Sequence, residues 1–127
     1  MKHNVALTTA SLLSILFMTF HLADDIVRGM EPGTLPNFTW VLTAVVWLYA
    51  TLVLPERRSG YVTLILGSLL GSVVPIVHMR GKGVGAIARS SGGFFFVFTI
   101  LALGITAIFT LILSARGLWS LRRGEPR

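Results

Sequence analysis

The stretch His21-Leu22-Ala23-Asp24-Asp25-Ile26-Val27-Arg28 closes a run, residues 5–22, that contains no Asp, Glu, Lys or Arg. As a helix that run is about 27 Å long, enough to cross the hydrocarbon of a bilayer. The eight residues that close it hold both aspartates of the chain, one of its three histidines and an arginine. His21, Asp24, Asp25 and Arg28 fall at i, i+3, i+4 and i+7, so on a helix they gather toward one face. A polar cluster at the end of an uncharged run reads as the edge of a membrane span.

Working outward, the same grammar repeats. The 127 residues are 54% hydrophobic and 13% charged, with a mean hydropathy of +0.78. The charges sit in five short segments, and no single soluble core of this size buries four uncharged runs. The sequence predicts an all-α integral membrane four-helix antiparallel bundle in one domain, with spans at about 5–22, 36–54, 61–77 and 94–113 and a short basic C-terminal tail. A secretory leader is a poor match for the first run, because cleavage after Ala23 puts His21 where a small residue is needed. The run is read as an uncleaved helix.

Between the spans lie breakers. Gly29, Pro32, Gly33 and Pro36 interrupt residues 23–35 and the entry to the second span, where Pro36 suits a first turn with Thr34 as its cap. Pro55 stops that span, and the connection 56–60 is so short that the second and third spans are antiparallel neighbours. The third connection, 79–93, is glycine-rich and basic, with Arg80, Lys82 and Arg89. Its Gly81-Lys82-Gly83-Val84-Gly85-Ala86 resembles a dinucleotide loop only on paper, since a membrane helix and not a strand precedes it. Its basic residues suit an anionic lipid head group instead.

In lipid, helices pair through small residues that let backbones approach. Thr63, Gly67, Gly71 and Pro75 form one four-residue stripe, and Ala102, Thr106, Thr110 and Ser114 form another. Gly67 and Gly71 either pack within the chain or serve a homo-oligomer or a larger membrane complex. Zero cysteines exclude a disulfide, a thiolate metal site and a cysteine nucleophile. The net charge of +6 belongs to the flanks of apolar runs, which points to the lipid bilayer and away from nucleic acid.

For an even number of spans, the N-terminus, second connection and tail carry Lys2, Arg57, Arg58, Arg116, Arg122, Arg123 and Arg127. The other side carries Arg28, Arg80, Lys82 and Arg89. The excess places both termini in the cytoplasm of a multi-pass cell-membrane protein. Asp24, Asp25 and Glu31 then share a side with Arg80, Lys82 and Arg89, which suggests an ionic clasp between the first and third connections.

Function is thinly written. The leading expectation is a non-enzymatic structural or accessory unit acting through the Gly67 and Gly71 groove. The rival is a membrane-edge site of His21, Asp24, Asp25, Arg28, His78 and Arg80. There His21, Asp25 and His78 make a two-histidine, one-carboxylate set for a divalent transition metal, the two histidines suit a haem, and Lys82 and Arg89 meet head groups. Asp25 is the more inward of the two aspartates. No ionisable residue lies mid-span, which argues against ion-coupled transport and leaves a permease for a neutral solute as a third reading.

Overall fold

A backbone in hydrocarbon must satisfy its own N–H and C=O groups within the segment, so uncharged runs of this length become helices. A computed structural model describes residues 4–81 and 84–124. Among them are five α-helices and no strand: α1 (Val5–Val27), α2 (Phe38–Leu52), α3 (Arg58–Arg80), α4 (Val84–Ala88) and α5 (Gly93–Arg123). Four helical units are long and apolar enough to cross a membrane: α1, α2 with the 3-10 turn Leu35–Asn37 before it, α3 and α5. The chain is an all-α membrane protein built as a four-helix bundle.

The helices overrun the expected spans because charged ends continue the helix into the head-group layer. Asp24 and Asp25 therefore ride on α1, and Arg116, Arg122 and Arg123 on α5. The second span is an exception. Pro36 occupies a separate 3-10 turn with Thr34 as its N-cap, and α2 begins only at Phe38. The glycine-rich connection also holds more order than expected, in the single turn of α4. Lys82 lies outside the described residues.

Around the bundle the order is α1, α2, α3, α5, with α5 packed most extensively against α3 and α1. The stripes explain the geometry. A four-residue repeat on a 3.6-residue helix drifts about 40° per step, so neither stripe faces one partner throughout. On α3, a Cβ on Gly67 would stand 2.7 Å from Cδ2 of Trp47 in α2, while Gly71 meets Trp47 and also Ala107 and Leu103 of α5. One turn further, Pro75 fills the space beside Gly104 of α5. The α5 face toward α3 is therefore made by Leu103, Gly104, Ala107 and Gly117, the last beneath the Tyr61 ring. Ala102 and Thr106 are only half-buried, and Thr110 turns to α1, where its Oγ1 is 3.4 Å from Ser14 Oγ.

The two ends of the bundle differ. At the end where α1 begins, Leu7, Trp47, Ala50, Tyr61 and Leu64 form a packed cluster. Trp47 Nε1–H donates to Ser11 Oγ at 2.9 Å, and Ser11 Oγ and Thr51 Oγ1 are 2.7 Å apart, which ties α2 to α1. These bonds span helices, whereas serine and threonine in a membrane helix can satisfy themselves on their own backbone. All the buried side chains of α2 lie in this second half: Trp47, Ala50 and Thr51. Its first half, from Phe38 to Val46, has no buried residue, and a groove opens beside it at the other end.

Candidate functional site

At that other end, α1 finishes, α3 finishes and α5 begins. His21 and Asp25 are one turn apart on α1, and His78 arrives from the last turn of α3. His21 Nε2 is 3.2 Å from His78 Nε2 and 3.4 Å from Asp25 Oδ2, and His78 Nε2 is 3.5 Å from the same Oδ2. Three potential donor atoms thus form a nearly equilateral triangle. The histidine rings meet edge to face, with centroids 4.5 Å apart. Phe96 of α5, 1% exposed, closes the site from behind, its centroid 5.6 Å from His21 and 6.0 Å from His78.

The hydrogen bonds leave the triangle short of protons. A carbonyl only accepts, so His78 Nδ1–H donates to Val74 O at 2.9 Å, which in the neutral ring leaves the lone pair on Nε2, the nitrogen that faces the centre. Asp25 is 6% exposed, and the two imidazoles are the cationic or neutral groups within ion-pair distance of its carboxylate among the described residues, with the acids Asp24 and Glu31 further off. Asp25 Oδ1 is buried with no hydrogen-bond partner, as is His21 Nδ1. With the His78 ring neutral, the edge between His78 Nε2 and Asp25 Oδ2 joins two acceptors; with both of its nitrogens protonated, the same edge is an ion pair. A buried carboxylate and a converging lone pair without a fixed cation are costly.

The expected cluster of six divides in three: His21, Asp25 and His78 converge, Asp24 pairs with Arg28, and Arg80 stands apart. Asp24 and Asp25 are adjacent and so point about 100° apart. Asp25 faces the histidines, whereas Asp24 takes Arg28 Nε–H at 2.7 Å. Arg28 also donates to Ser90 Oγ at 3.1 Å and Ser91 O at 3.3 Å, and lies 5.7 Å from the Phe96 centroid. Gly92, at φ +72°, brings the backbone up to this guanidinium, where a Cβ would stand 3.0 Å from Nη2. The clasp between the first and third connections is therefore Arg28 on a serine turn. Arg80 and Arg89 are exposed and join no ion pair among the described residues.

From the triangle an apolar groove of about 600 Å³ runs between α1, the open half of α2 and α3, walled by Met18, Trp40, Leu66, Leu70, Val73 and Val77. Glu31 stands at its polar end, where Oε2 accepts from Asn37 Nδ2 at 3.1 Å. The sequence signals His21 and Asp25 through their i, i+4 spacing, and His78 through the matching depth of its helix end. Neither Phe96 nor the groove carries such a signal, because both depend on how the helices tilt.

No protein-family model matches this chain, and neither a curated protein nor a solved structure does.

Proposed function

We propose that the chain is a multi-pass cell-membrane protein that binds a divalent transition metal through His21 Nε2, His78 Nε2 and an Asp25 carboxylate oxygen. One observation carries the reading: the triangle sides of 3.2, 3.4 and 3.5 Å. Ligands about 2.0–2.1 Å from a tetrahedral ion stand about 3.3–3.4 Å apart. A divalent ion also supplies the cation that the Asp25 carboxylate lacks, and the Val74 carbonyl orients His78 as an outer-shell partner does. Two nitrogens and one oxygen suit zinc or iron(II) and leave at least one coordination position open. That position gives the centre its use, for binding or for activating a ligand.

The same distances disfavour haem. Axial nitrogens about 2.0 Å from an iron on opposite faces stand about 4 Å apart, whereas these two imidazoles touch each other. For the accessory reading, Trp47 packs on Gly67 and Ala107 on Gly71, so both glycines already serve packing within the chain. The interior hydroxyls of Ser14, Thr99, Thr110 and Ser114 bond to carbonyls of their own helices, which gives the permease reading no support from them.

Elemental analysis of the protein purified in mild detergent without chelator tests the proposal. The expected result is about one equivalent of zinc or iron, lost in His21→Ala, His78→Ala and Asp25→Asn and retained in Arg28→Ala. Wild-type protein that takes up no zinc, iron(II) or cobalt(II) even on equilibration with each salt overturns it.

A further inference from the structure

We propose that the groove seats one long-chain fatty acid, its alkyl chain along α3 and its carboxylate at the open position of the metal centre. The head-group contact rests on the metal reading above; the seat for the chain does not. The groove follows α3 from Leu66 to His78, about 18 Å of helix. It starts at the membrane edge and ends near mid-bilayer, because half of a ~30 Å hydrocarbon layer is about 15 Å. That is the depth and the polarity of a single chain in one leaflet: a polar end beside His21, Asp25 and His78, and beyond it only leucine, valine and methionine walls with Trp40 at the side. The walls are open toward lipid, with Leu66 59% and Val77 60% exposed.

The head group is narrowed by charge. Among the described residues no lysine or arginine lines the groove, so the metal is the cation that meets the head group, and the groove has the depth of one chain where a phospholipid carries two. Two neutral imidazoles, one carboxylate and a divalent ion sum to one positive charge, which a single carboxylate neutralises. Glu31, the other acid at this end, is no metal ligand in this reading: its Oε2 is engaged by Asn37, and the charge it keeps lies outside the count of the metal and its three ligands. What separates this groove from ordinary lipid-facing surface is its end, where buried Asp25 Oδ1 has no partner.

The test uses the full chain with Trp119→Phe, in nanodiscs, and two readouts. One is quenching, by a long-chain fatty acid brominated at mid-chain, of the fluorescence that Trp40 adds to that of the remaining Trp47, taken as the difference from the same protein with Trp40→Phe. The other is the visible spectrum of the cobalt(II)-loaded protein. Saturable quenching is expected, together with a shift of the cobalt bands that acetate at the same concentration does not produce. Val73→Phe combined with Val77→Phe should weaken both about tenfold or more while cobalt still binds. Saturable quenching without cobalt uptake keeps the chain in the groove and removes the metal from beneath its head. Quenching that never saturates, that brominated phosphatidylcholine matches, or that the filled groove leaves unchanged overturns the proposal. So does a homodimer that the same two substitutions dissociate, since the groove then belongs to a second copy.

Discussion

Arg28 shows how one residue can organise a corner without entering the chemistry. It pairs with Asp24, holds the serine turn at Ser90 and Ser91 and lies over Phe96, so it links the end of α1 to the start of α5. Arg28→Ala is expected to speed amide exchange across residues 84–92 while leaving metal stoichiometry unchanged. Arg28→Lys should behave almost as badly, because a point charge cannot make the guanidinium's several directed bonds at once. A change confined to metal content would reverse these roles. At this scale the sequence was partly legible. The turn spacing of His21 and Asp25 is visible by eye, and so is the placement of His78 at the same depth. The division between Asp24 and Asp25 is not, because both satisfy the same helical spacing and only the neighbouring helices decide which faces inward.

Among elements, α2 depends most on a single contact. Trp47 lies flat on Gly67 and donates to Ser11, and no other large side chain of α2 is buried. Gly67→Ala puts a Cβ about where the indole is, and overpacking of this kind costs roughly 1–3 kcal/mol. The melting temperature in detergent should fall, and Trp47→Leu should soften the penalty so that the two changes are less than additive. Ser11→Ala leaves a buried indole N–H without an acceptor, which costs about 1–3 kcal/mol. Strict additivity of Gly67→Ala and Trp47→Leu would mean that they do not meet. The existence of each helix was legible from its uncharged run. Stripe partners were not, because the four-residue repeats on α3 and α5 wind around their helices and change partner along the way.

For the whole molecule, the excess of Lys and Arg beside the termini predicts that the His21 end lies on the non-cytoplasmic side of the membrane. A reporter active only in the cytoplasm, fused after Arg127, should therefore function. A chelator that cannot cross the membrane should strip the metal from intact cells. An inactive C-terminal reporter would turn the molecule over. Four spans in one bundle could be predicted from composition and charge placement alone, since a membrane leaves a chain few other options. The groove could not, because it exists only through the way α2 is mounted. That helix behaves as a cantilever, clamped by the buried Trp47, Ala50 and Thr51, while its Phe38 end is held through Asn37, bonded to Thr34 and Glu31 of the first connection. From Trp47 to Trp40 the beam is about 10 Å long, so a tilt of about 10° at the clamp moves the Trp40 end by about 2 Å. Groove width is thus set remotely, and Trp47→Phe, which leaves His21, Asp25 and His78 in place, should alter how readily the groove admits a chain.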